Sequence, residues 1–191
     1  MATYSDDLRK IRISKKVGVI EGIFDEIIFH LKYLVPSQWI IEARKWSDPY
    51  SVVDAYVFVT TILSVAILWW SNYAPLASAL VATYFLAGTI VNVLNVVFLT
   101  KIFGRPVSTE RTLLLFFLNV AQVLLTFAIW YRFMLGKQAG EAFFNAMLVF
   151  GTLGYPKEKG ADVFVGLQIA TDFFLLAVYL AFIVSNMERR H

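Results

Sequence analysis

The sequence predicts an all-α membrane protein: four transmembrane helices, a short re-entrant helix and an N-terminal amphipathic helix. Three observations carry that class. Hydrophobic residues make up 59% of the 191 residues and charged residues only 16%, where soluble domains hold about 25% charged. Four apolar stretches reach the roughly 20 residues that a bilayer requires. A fifth, "FFNAMLVFGTLGYP" at 143–156, is apolar enough to enter a membrane and too short to cross it, and it breaks at Gly151, Gly154 and Pro156.

Taken in order, Met1 to Lys16 is polar and lacks the apolar core of a cleavable signal, so the first span is expected to act as its own insertion signal. Ile20, Ile23, Phe24, Ile27, Ile28, Leu31 and Leu34 then recur at helical spacing, opposite Glu21, Asp25, Glu26 and Lys32. This amphipathic helix, ended by Pro36, either lies on the lipid surface or packs against the ends of the bundle. The spans follow at about Val52 to Trp70, Pro75 to Thr100, Thr112 to Leu135 and Ala161 to Met187. Any one of them could be a buried helix of a soluble protein. Four in so short a chain leave too little polar helix to cover them.

Lysine and arginine set the orientation. Arg9, Lys10, Arg12, Lys15, Lys16, Lys32, Arg44 and Lys45 precede the first span, and Lys101, Arg105 and Arg111 lie between the second and third. The link 71–74 has no charge. Both termini are therefore expected on the cytoplasmic side, with the plasma membrane as the expected location. Trp69, Trp70, Tyr73, Trp130 and Tyr131 mark the outer boundary as an aromatic belt.

Several chemistries are excluded. There is no cysteine, and the two histidines, His30 and His191, are far apart, so thiolate sites and His-rich catalytic metal sites are not expected. No HExxH, GxSxG or phosphate loop is present. The expectation is a protein that is not an enzyme, has no cofactor and binds no nucleic acid.

Asp172 is the ionisable group that needs an explanation, because a carboxylate inside a span is costly and marks function by default. It lies about 16 Å into its helix at 1.5 Å per residue. Gln168, Asp172, Tyr179 and Asn186 form one stripe, at spacings of four, seven and seven. The stripe suits a water-filled cavity. Alternatively, Asp172 is protonated, or paired with Asn92, Asn95, Asn119 or Gln122. Asp54 is expected at the inner interface, and Thr60, Thr61 and Ser64 in helix packing.

Irregular backbone is tolerated at membrane depth only where protein buries it or water lines it. A short helix over Ala142–Phe150 followed by a glycine turn is thus a pore loop or a packed re-entrant segment. Entering from outside, its C-terminal dipole would present partial negative charge to the membrane centre and favour a cation.

"AFFNAMLVFGTLGYP" resembles the pore helix and filter of tetrameric potassium channels, with Ala142, Phe143, Ala146, Thr152, Gly154 and Tyr155 at matching positions. Phe182-Ile183-Val184-Ser185-Asn186 is similar to the end of the inner helix in many members. The resemblance covers roughly residues 112–187. It implies a homotetramer in a lipid bilayer, with K+ or another monovalent cation as the permeant ion. The filter would be Thr152, Leu153, Gly154, Tyr155 and Pro156, of which the first four supply the ligands, by backbone carbonyls and the threonine hydroxyl. Gln168, Asp172 and Tyr179 would line the cavity and Lys157 and Glu158 the outer mouth. Residues 1–50 would form a cytoplasmic and interfacial segment, 51–110 two scaffold helices, and 111–191 the pore unit. Pro156 stands where the family has its second filter glycine and Lys157 where it usually has aspartate, which implies relaxed selectivity. A channel-like regulatory or non-conducting protein is the alternative, and a small membrane enzyme the more distant one.

Overall fold

The computed structural model describes residues 49–98, 109–154, 156 and 161–188. They form five helices: α1 Pro49–Trp70, α2 Pro75–Phe98, α3 Thr109–Leu135, α4 Ala139–Phe150 and α5 Ala161–Glu188. Among the described residues there is no strand. α1, α2, α3 and α5 are each long and apolar enough to cross a membrane, which makes this an integral membrane protein by its architecture. The spans lie where the apolar stretches placed them, within a few residues at each end. The amphipathic helix expected between Ile20 and Leu34 lies outside the described residues.

Local chemistry explains the breaks. Pro75 opens α2, where its missing N–H is an orphan in any case, after a four-residue turn closed by the Tyr73 N–H on the Trp70 carbonyl at 3.0 Å. Gly136 ends α3 with φ of 65°, and its N–H bonds the Arg132 carbonyl at 3.0 Å. That left-handed stop is one glycine takes without strain. α4 begins three residues later, ahead of the expected Ala142. Glu141 sits in its first turn, favourable to the helix dipole, and pairs with Lys137 at 2.6 Å.

α3 is the central helix and touches all the others. It is also rich in polar side chains, and each points to a different neighbour. Arg111 pairs with Asp54 of α1, through Nε–Oδ2 at 2.8 Å and Nη2–Oδ1 at 2.9 Å. Gln122 accepts from the Thr60 hydroxyl of α1 at 3.3 Å. Thr126 donates to the Ala82 carbonyl of α2 at 3.4 Å, and Trp130 Nε1 to Thr83 at 2.9 Å. Arg132, 8% exposed, donates to the Leu68 carbonyl at 2.7 Å and to the Asn72 side chain. It thereby bonds one carbonyl at the C-terminal end of α1 and places its charge where that dipole is negative. α1 and α3 are thus parallel and tied at both ends and near the middle.

Apolar side chains fill the spaces between these ties. Val123, Phe127, Ala128 and Ile129 are fully buried along α3, against Ala79 and Ala82 of α2 and Leu175 of α5. Gly88 lets α1 come close to α2: a Cβ there would lie 2.6 Å from the Tyr56 hydroxyl oxygen. Outward faces are apolar, as lipid contact requires, with Phe58, Ile62, Leu80, Leu114 and Phe117 exposed. Trp69, Trp70 and Tyr73 are the exposed aromatics at the α1–α2 turn.

The two α1–α3 clamps are expected to differ in strength. The Asp54–Arg111 pair is partly exposed, and such pairs contribute about 0–1 kcal/mol. Arg132 is buried on a carbonyl, and hydrogen bonds from charged groups contribute about 1.5–3 kcal/mol. Arg132→Met should therefore lower thermal stability in detergent well beyond Asp54→Asn. Equal shifts in the two melting curves would refute the assignment.

Candidate functional site

The site is assembled where α4 meets α3 and α5. Ala139, Ala142, Ala146 and Val149 form the buried face of α4. Their small side chains allow close approach to α3, in the manner of small residues at helix interfaces in membranes. Near the Arg132 end of the bundle, Trp130 of α3 stacks on Phe164 of α5, with ring centroids 5.1 Å apart. The start of α5 is therefore level with the end of α3.

Deeper in, Tyr131 donates its hydroxyl proton to Gln168 Oε1 at 2.8 Å, and Gln168 Nε2 donates to the Ala146 carbonyl at 2.8 Å. One glutamine thus joins three helices. It is fully buried. The sequence alone places Gln168 on a stripe expected to line a cavity and Tyr131 in an interfacial aromatic belt, and it does not pair the two. Their partnership spans 37 residues of sequence and leaves no local signal.

α4 ends in a tight cap. The Thr152 N–H bonds the Val149 carbonyl at 3.0 Å and the Leu153 N–H the Leu148 carbonyl at 2.9 Å. This pair of bonds, following Gly151, is the Schellman pattern, whose left-handed position is usually glycine. Here Thr152 occupies it, with φ of 55°. Gly151, Thr152 and Leu153 are exposed, Leu153 at 81%. Gly154 is half-buried and Pro156 buried, while Tyr155, Lys157 and Glu158 lie outside the described residues.

The α5 stripe faces its own bundle. Tyr179 accepts a hydrogen bond from the Asn119 side-chain amide of α3, and its ring meets Phe116 edge-on at 4.8 Å. Asp172 is 6% exposed, and neither carboxylate oxygen has a hydrogen-bond partner. Its polar neighbours are the Gln168 side chain, one turn earlier, and Tyr131. Two of the candidate partners for Asp172 are engaged elsewhere: Asn119 with Tyr179, and Gln122 with Thr60. The open face of α5 carries Val163, Leu167, Phe173 and Leu180 instead. The Asn186 and Asn95 side chains lie outside the description.

No family model, curated protein or solved structure aligns with the chain. What the site can do must be argued from its own parts. They are a short helix held at Ala146, a coiled polar-backbone segment at its end, and a buried acid one turn from the glutamine that holds it.

A β-branched residue in the left-handed region costs on the order of 1 kcal/mol or more. Thr152→Gly should consequently leave the melting temperature unchanged or raise it, against the usual direction for a substitution to glycine. A clear fall would mean that the Thr152 side chain makes a contact that outweighs the backbone strain.

Proposed function

We propose that the chain is one subunit of a homotetrameric channel for monovalent cations, K+ foremost, with α4 as a re-entrant pore helix. On this reading Thr152, Leu153, Gly154 and Tyr155 supply the ligands, Pro156 closes the outer end of the filter, and Lys157 and Glu158 stand at the mouth. Both termini would face the cytoplasm, with the protein in the plasma membrane. No cofactor is invoked.

The observation that supports the reading is the placement of α4. It is about 18 Å long at 1.5 Å per residue, starts beside the end of α3, and is gripped partway along α5 at Gln168. Its end, Gly151–Leu153, is irregular and exposed on a single chain. In a bilayer such backbone requires cover by protein or water. Four copies around an axis supply both, and closed cyclic symmetry is the common solution for identical chains.

One observation favours the alternative, a channel-like regulatory or non-conducting subunit. The cap at Thr152 and Leu153 coils the segment and uses the Leu148 and Val149 carbonyls internally. A file of carbonyl sites along an axis needs this segment uncoiled. Gln168, Asp172 and Tyr179 reach a central cavity only if water penetrates between α3 and α5.

Flux in liposomes under separate K+, Na+ and Cl− gradients tests the reading, with particle symmetry by electron microscopy. Cation flux from four-fold particles is expected; four-fold particles without flux would select the alternative, and a monomer would reject both. If the protein conducts K+ and Na+ alike, Pro156→Gly should increase discrimination for K+. Glycine restores the φ freedom and the N–H that proline removes. Unchanged reversal potentials in mixed gradients would separate Pro156 from the filter.

A further inference from the structure

We propose that α1, α2 and α3 enclose an internal water-binding site, walled by Tyr56, Thr89, Asn119 and Gln122, and that the water held there joins all four spans. The site uses no residue of α4 and stands whether or not the chain conducts.

Two hydrogen bonds set the register of the walls. Thr126 of α3 donates to the Ala82 carbonyl of α2. α2 runs antiparallel to α3, because α1 and α3 are parallel and a tight turn joins α1 to α2. Seven residues of helix rise about 10 Å and make nearly two full turns. Stepping from Ala82 to Thr89, and from Thr126 back to Asn119, therefore leads in one direction and stays on the facing sides. Thr89 and Asn119 stand level between α2 and α3, and both are buried. The second bond, from Thr60 to Gln122, brings in α1. Gln122 lies three residues from Asn119, on the same face of α3. Tyr56 is one turn before Thr60, and its hydroxyl lies against α2 next to Thr89: a Cβ on Gly88 would be 2.6 Å from that oxygen.

Four polar atoms at this level are buried and have no hydrogen-bond partner among the described residues: Tyr56 Oη, Thr89 Oγ1, Asn119 Oδ1 and Gln122 Nε2. Thr89 departs from the local habit. The hydroxyls of Thr60, Thr61, Ser64, Thr83 and Thr171 each bond the carbonyl four residues back, which satisfies a helical hydroxyl without outside help. The Thr89 hydroxyl makes no such bond. Lipid offers these groups nothing, and a buried polar atom without a partner is costly. The mixture names the ligand. Gln122 Nε2 only donates, Asn119 Oδ1 only accepts, and the two hydroxyls do either. A bare cation leaves the donor unmatched, and an anion is repelled by the acceptor. Water donates and accepts at once, and a buried water commonly makes about three such bonds. Asn119 also donates from its amide nitrogen to Tyr179 of α5. Water on Oδ1 holds that amide in the orientation the Tyr179 bond needs, and so carries the tie from α1, α2 and α3 to α5.

Solid-state NMR of the full chain in lipid bilayers, labelled at its asparagine and glutamine side chains, tests this by transfer of magnetisation from water. The Gln122 side-chain amide, identified by its loss in Gln122→Met, should receive water magnetisation although it is fully buried. The transfer should fall by about half or more when Tyr56→Phe and Thr89→Val are combined, since the water loses two of its polar partners. It should persist in Thr89→Ser, which keeps the hydroxyl. If the double variant does not fold, Tyr56→Phe alone, at a half-buried ring, should still reduce it. No transfer in wild type would mean that the four groups bond one another directly in lipid, and would overturn the proposal. Transfer unchanged in the variants would overturn it too. An amide signal that follows Na+ or Cl− concentration at constant ionic strength would make this an ion site and reject water.

Discussion

In a bilayer the lipid tails are as apolar as leucine, so burial of apolar surface does not tell one helix which neighbour to choose. Hydrogen bonds and charge pairs make that choice here, and nearly all of those between helices start from α3. Arg111 and Arg132 select α1 at its two ends, Thr126 and Trp130 select α2, and Asn119 and Tyr131 select α5. The apolar contacts then fill in a geometry already specified. The order is the reverse of a soluble bundle, where the apolar stripe chooses and polar groups decorate.

The same logic governs α4. A twelve-residue helix is marginal by itself in water, and its position is fixed from outside, by the packing of its small buried face on α3 and by one carbonyl held from α5. Gln168 makes that contact only because Tyr131 fixes the orientation of its amide. The network is short and fully directed, with Asp172 one turn away as the buried group it does not satisfy.

The spans were legible because length and apolarity suffice to define them. The short helix was legible from its length and its glycines, although its start was placed at Ala142 rather than Ala139. The stripe through Gln168, Asp172 and Tyr179 could be seen as a stripe. A helical period names a face of α5 but not the helix opposite it. Arg132 counted only as a positive charge near a loop, since its partner is a main-chain carbonyl 64 residues away. Asp54 reads as an interfacial residue without a role for the same reason, its partner Arg111 lying in another helix. The left-handed Thr152 ran against residue preference, so no local rule could find it.

The α1–α3 ties also divide the molecule mechanically. Asp54–Arg111, Thr60–Gln122 and Arg132–Leu68 resist sliding, tilting and separation of α1 from α3, and α2 is fastened to the same block through Ala82 and Thr83. α5 carries no ion pair to that block among the described residues. Its polar links to α3 are Tyr131–Gln168 and Asn119–Tyr179, both between uncharged groups. α4 packs on α3 more extensively than any other helix does, so it belongs with the stiff frame, and α5 is joined to that frame by uncharged links alone among the described residues. Sliding of α5 along that frame therefore breaks hydrogen bonds between neutral groups and separates no charges, so it is the cheapest rearrangement the described contacts permit.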